Sequence, residues 1–242
     1  MDRALFAAAS GMAAQQRNLD TIADNLANAE VVGFKGSAQT FAELIAPGQA
    51  GIGTVALGTR VLFNQGKLAR SPGAFDLAID GPGFFTLLDD HGRRRYSRDG
   101  EFSRGADGSL HNSQGLSLAG VRIPADAVSA TVAADGTVEI AAPAGKRTVG
   151  RVRLAEFPAP EALRDAGGGA FEATTAAGSR RDVVPGSADG PKLRFGMLEQ
   201  SNVTIIDAMM QILTAQRAYE ANAKGVQAAD EMLRIANNLQ RG

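Results

Sequence analysis

A chain of 242 residues, 44% hydrophobic, is long enough to bury a real core in one large or two modest domains. A formal net charge of -1, with no basic arm at either end, removes any general electrostatic case for nucleic acid or an anionic membrane surface. The absence of cysteine excludes disulfides, a redox pair and thiolate metal sites, and no apolar run approaches the roughly 20 residues of a membrane span.

The first thirty residues lack the basic start and compact apolar run of a secretory signal, so export by another route is the expectation if the protein leaves the cytoplasm. They read instead as a helix. Leu5, Met12, Leu19 and Leu26 recur every seven residues, with Ala8, Gln15, Ile22 and Ala29 three positions after each, which is the a/d spacing of a coiled-coil seam. Asp2 suits the helix start, and Val31, Val32 and Gly33 end the pattern beyond Asn28. Gly11 inside this helix costs about 1 kcal/mol relative to Ala, which is either tolerated strain or the mark of a neighbouring backbone close by.

Punctuation marks the middle of the chain. All nine prolines and all but four of the 29 glycines fall between Gly36 and Gln200, and both residues are poor inside helices. From 36 to 74 the pattern is that of an extended connector with one strand, about 54–64. From Phe75 short apolar runs alternate with turn signals at 89–92, 106–108, 112–115 and 134–136, which indicates an antiparallel sheet or barrel. Further strands are expected at 130–133, 137–140, 148–157 and 170–174, while 159–169 and 176–190 read as loops.

The last stretch is helical again. Met209, Ile212, Gln216, Tyr219, Ala223, Val226, Asp230 and Leu233 follow in steps of three and four, with Leu213, Ala229, Met232 and Leu239 widening the stripe. Ser201 or Asn202 is the expected N-cap. Gln216 and Asp230 in that row point to polar register-setting or to contacts with other subunits. At about 1.5 Å per residue the two terminal helices span roughly 40 and 55 Å. They have a core only by pairing with each other or with neighbouring copies.

The runs Ser10-Gly11-Met12-Ala13-Ala14-Gln15-Gln16, Asn18 to Asn28 and Gly33-Phe34-Lys35 resemble the N-terminal signature of bacterial flagellar rod and hook proteins. Phe75 to Phe85, Tyr96 to Phe102 and Gly108 to Gly115 resemble the family's central β-domain, and Gln216 to Lys224 with Ala229 to Leu233 its C-terminal signature. The chain departs from the family at Ala29-Glu30-Val31-Val32, where a small polar pair is usual. The resemblance implies an α+β fold: a coiled-coil-like pair of terminal helices with an inserted antiparallel β-rich domain. The expected division is 1–35 helix, 36–74 connector, 75–197 β-domain and 198–242 helix.

The resemblance further implies a rod subunit in the periplasm, polymerised with itself and other rod subunits into the shaft that carries torque and encloses the export channel. It also implies delivery through the flagellar export apparatus without a cleaved signal. The brief connector favours the proximal rod type over the distal. A secreted β-domain enzyme or glycan-binding module is the reading from a different class. The expected assembly contacts are Leu5, Met12, Leu19, Ile22 and Leu26 with Ile212, Leu213, Tyr219, Val226 and Leu233.

No catalytic, cofactor or metal residues are assigned. His91 and His111 sit in or beside turns with no serine elbow or HExxH motif. Asp76 and Asp80 share a strand face in the manner of paired glycosidase carboxylates, yet a solvated face explains them more simply. The Asp-Gly turns at Asp107, Asp135 and Asp189 lack the ligand density of a calcium loop. Gly81-Pro82-Gly83 is a bend, not a dinucleotide fingerprint, and Arg93-Arg94-Arg95 with Arg98 reads as a solvated or inter-subunit face.

Overall fold

In the computed structural model, which describes residues 2–44, 53–187 and 190–239, Asp2–Ala27 forms one unbroken helix, α1, and Ile205–Leu239 another, α2. The chain divides into two units. Unit 1 gathers Met1–Ala29, Gly36–Leu62 and Val203–Gly242; unit 2 gathers Glu30–Lys35 and Phe63–Asn202.

Unit 1 pairs the two helices and lays a β-hairpin across α1. Strands β1 (Ser37–Leu44) and β2 (Gly53–Val61) are antiparallel, with Ser37 opposite Val61 and Leu44 opposite Gly53. Only the second of these was expected from the pattern, because β1 is too polar and too exposed to show alternation. What fixes it is a side chain of α1. The Asn25 amide donates to the Ser37 carbonyl at 2.7 Å and its oxygen accepts from the Ser37 N–H at 2.8 Å, so the strand begins against a satisfied backbone. At the far end the Thr54 N–H donates to Ser10 Oγ at 3.1 Å.

The start of α2 also differs from expectation. Thr204, not Ser201 or Asn202, caps the helix: its hydroxyl accepts from the Asp207 N–H at 3.1 Å and donates to the Asp207 carboxylate at 2.6 Å. This side-chain cap also places an acid in the first turn, where the helix end is positive.

Unit 2 is built of antiparallel strands. One path runs Arg164–Gly167, Ala170–Glu172, Arg94–Ser97, Phe84–Leu88, Ser117–Arg122, Ser109–His111, Ser103–Arg104, with Leu154–Glu156 pairing both Phe84–Leu88 and Arg181–Val183. Ser129–Val132, Thr137–Ala142 and Gly145–Arg151 form a second sheet. Leu77–Asp80 pairs Lys192–Phe195, and Leu68–Arg70 pairs Met197–Glu199. Phe85, Leu87, Leu110, Ile140 and Leu154 meet in one apolar core, each worth roughly 1.5–3 kcal/mol relative to exposure.

The run expected as one strand over 148–157 is two, Gly145–Arg151 and Leu154–Glu156, in different sheets. Buried Val152 marks the break, its N–H held by the Gly136 carbonyl at 2.8 Å. The segments expected as loops contain the short strands Arg164–Gly167 and Arg181–Val183. Both are mostly exposed, so they carry no apolar alternation to read.

Candidate assembly interface

The seam between α1 and α2 is one residue away from the row that periodicity predicts. Ala208, Ala215, Asn222 and Ala229 recur every seven residues; the three alanines are buried, and Asn222 reaches α1 at Gly11. Ile22 is buried against Ala208 and Ala215, and Leu19, Leu26, Val203 and Ile212 close around them. Gln216 and Asp230, expected in the seam, are exposed. The physical reason is distance: small residues let two helix backbones approach, whereas a row of Met and Tyr holds them apart.

The expected contact residues divide accordingly. Leu5, Met12, Leu19 and Leu26 are half-buried and Ile22 is buried on α1; Ile212 and Val226 are half-buried on α2. Leu213 is 55% exposed and Tyr219 38% exposed, so neither is consumed by the helix pair. The side chain of Leu233 lies outside the described residues.

Leu213 belongs to an apolar flank that adds Ile206 and Met210 to the Met209 and Leu213 expected from the sequence. Ile206, Met209, Met210 and Leu213 lie at helical spacing on α2, all exposed, with Ile206 at 72%. Contiguous exposed apolar residues are a feature that interaction faces carry, and Met adapts well to an uneven partner. The signal was present in the sequence as an overly wide stripe. A helix paired on one side needs about a third of its circumference for that, and here the apolar residues exceed it.

Within unit 2 a buried ionic knot gathers the segments that lead to and from the other unit. The Lys35 ammonium donates to Glu199 at 2.6 Å and to the Asn64 carbonyl at 2.9 Å, and both charged side chains are fully buried. Arg98 donates to the second Glu199 oxygen at 3.1 Å and to the Gly81 carbonyl at 2.9 Å, with its guanidinium 5.5 Å from the Phe84 ring centre. The Gly66 N–H donates to Glu199 Oε1 at 2.8 Å, and the Gly33 N–H to the Glu199 carbonyl at 2.7 Å.

Burial pushes the Lys35 ammonium and the Arg98 guanidinium below their ordinary pKa ranges, and Glu199 offsets part of that for both. Gly33 has φ +67°, and a Cβ there would meet the Asp99 backbone nitrogen at 2.4 Å. Thus the Gly-Phe-Lys run places a left-handed glycine and a buried lysine two residues apart at this knot.

The remaining polar groups are structural. Asp76 is buried and accepts from the Ser71 hydroxyl, while Asp80 pairs with Arg194 at 2.7 Å, so the two carboxylates have separate surroundings. The His111 ring lies against Ser109 and the Gly115 carbonyl within its own hairpin. Arg93 is paired with Asp89, and Arg95 with Asp89 and Glu172; Arg94 has no carboxylate partner among the described residues. No three acidic or histidine side chains among the described residues converge as metal ligands.

An α+β chain that folds its two ends together and leaves an apolar flank beside them has the build of an assembly-forming structural subunit. Comparison with known proteins gives the family. Residues 5–35 match the flagella basal body rod protein family, residues 78–140 the flagellar hook protein FlgE/F/G D1 domain, and residues 195–239 the flagellar basal body rod FlgEFG protein C-terminal family. The chain is 37% identical over 264 residues to the flagellar basal-body rod protein FlgG of Borreliella burgdorferi, covering all of both chains. It is 33% identical to FlgG of Agrobacterium fabrum, over 97% of this chain and 98% of that one. Against FlgF of Caulobacter vibrioides identity is 31%, over 98% of this chain and 97% of the relative.

The chain belongs to the flagellar basal-body rod protein family, and it is a structural subunit of the bacterial flagellar rod. Relatives named FlgG and FlgF are both matched over nearly their whole length.

Proposed function

We propose that the subunit polymerises helically through unit 1, with the α1–α2 pair acting as a coiled-coil-like building block and the exposed α2 flank as its contact with sister or neighbouring rod subunits. The observation that carries this is the division of α2 into two faces: Ala215 is 3% exposed against α1, and Leu213, two residues away, is 55% exposed. A heterologous, non-closing contact of this kind generates a filament, not a closed ring.

In this reading the polymer is the periplasmic shaft between motor and hook, with the export channel running through it. The subunit arrives through the flagellar export apparatus. Before assembly the ends of the helices, lacking partners, do not offset a chain entropy of about 1–2 kcal/mol per residue, and they order fully on joining the growing tip. We favour the FlgG type over the FlgF type because identity reaches 37% with FlgG of Borreliella burgdorferi, against 31% with FlgF of Caulobacter vibrioides.

Deleting the subunit and examining basal bodies by electron microscopy tests the reading. Loss of hook and filament with inner rings retained is expected; intact hooks would refute it. The position of a labelled copy along purified rods separates the proximal from the distal assignment.

A further inference from the structure

Unit 2 carries a basin at one edge of its main sheet. Along Phe84–Leu88, Phe85 and Leu87 point into the core, which turns Thr86 to the opposite face. Thr86 lines a cavity of about 410 Å³ together with Arg94, Arg151, Arg153, Arg180 and Asp182. These residues come from four separate stretches of unit 2, so no single loop accounts for the clustering of arginines.

Two of the four guanidiniums are already engaged. Arg180 pairs with Asp182 at 2.9 Å, and Arg151 with Asp135 at 3.4 Å. Arg94 and Arg153 have no carboxylate partner among the described residues, although the chain as a whole is nearly neutral. The basin therefore holds two uncompensated positive charges.

Thr86 supplies a second, independent observation. It is only 8% exposed, and its hydroxyl has no hydrogen-bond partner among the described residues. A hydroxyl open to the cavity, on an otherwise buried residue and without a protein partner, is equipped to bond a ligand oxygen.

We propose that this basin binds a dianionic ligand through its phosphate or carboxylate oxygens, with Arg94 and Arg153 neutralising the charge and the Thr86 hydroxyl donating to one oxygen. Guanidinium forks suit both kinds of oxyanion. The cavity volume lies within the range of small-molecule sites.

The test is isothermal titration of the full-length chain, kept monomeric by dilution, with inorganic phosphate in one arm and succinate in the other. Saturable binding of at least one is expected, and the tighter arm identifies phosphate or carboxylate as the preferred group. R94A/R153A should weaken it at least tenfold, and T86V several-fold at unchanged charge. The control R60A/R70A, which removes two exposed arginines elsewhere, should leave it within twofold. Circular dichroism confirms that each variant is folded. Binding absent in both arms, or weakened equally by R60A/R70A, overturns the proposal, as does binding indifferent to both R94A/R153A and T86V.

Discussion

A Cβ placed on Gly11 of α1 would stand 2.9 Å from the Asn222 amide nitrogen of α2, so the glycine inside the first helix is where the Asn222 side chain is accommodated. The intruding group is a side chain, not a backbone. Gly11 weakens its own helix by about 1 kcal/mol relative to Ala, and that loss is offset by the approach it permits.

Gly11→Ala alone is therefore expected to leave stability within about 1 kcal/mol, helix propensity opposing the crowding. Gly11→Leu should cost about 1–3 kcal/mol by overpacking. Combined with Asn222→Ala, Gly11→Ala should turn net stabilising, and the double-mutant cycle in urea should show coupling of about 0.5 kcal/mol or more. Simple additivity would mean that the two residues do not meet.

The two faces of α2 are expected to respond oppositely to substitution. Ala215→Leu overfills the buried seam and should lower monomer stability by about 1–3 kcal/mol. Leu213→Lys, on the exposed flank, should change monomer stability by no more than about 0.5 kcal/mol, yet abolish swimming and leave no hooks on isolated basal bodies. Thermal melts beside a soft-agar motility assay distinguish the two effects.

Removing the carboxylate of Glu199 by Glu199→Gln leaves Lys35 and Arg98 buried without a counter-charge, at a cost of about 3–5 kcal/mol. Lys35→Met should cost less, since Glu199 keeps Arg98 as its partner at 3.1 Å. Denaturant midpoints give the order directly, and a larger loss for Lys35→Met would show that the lysine, not the glutamate, is the centre of the knot.

Two turn carboxylates set part of the acid limit. The Ser109 hydroxyl and N–H hold the Asp107 carboxyl down at about 2, and the Thr137 N–H and hydroxyl lower Asp135 in the same way. A carboxyl depressed in the folded state contributes stability that is present above the unfolded value of 3.8 and is lost as pH falls toward the folded one. Stability followed from pH 5 to pH 2 should fall less steeply in Asp107→Asn than in the parent chain, while an unchanged slope would remove Asp107 from the linkage.

The helices are legible because Pro is absent from both ends, Gly is scarce there, and both are concentrated in between. The seam of α2 was misplaced by one position because periodicity weighs large apolar residues, whereas close helix packing selects Ala208, Ala215 and Ala229. Strand β1 was hidden because Asn25, not an apolar row, anchors it. The ionic knot joins Lys35 to Glu199 across 164 positions, and no local pattern announces such a pair. The basin at Thr86 was equally invisible: of its arginines only Arg94 stood in a run that drew attention.

The absence of cysteine from the natural chain makes single-cysteine crosslinking in purified basal bodies the most direct test of assembly through the exposed flank of α2. With a short bismaleimide linker, Leu213→Cys should be captured to a neighbouring rod subunit bearing its own cysteine, and Ala215→Cys should not. Crosslinks between subunits at position 215, with position 213 still open to maleimide in the assembled rod, would contradict the account.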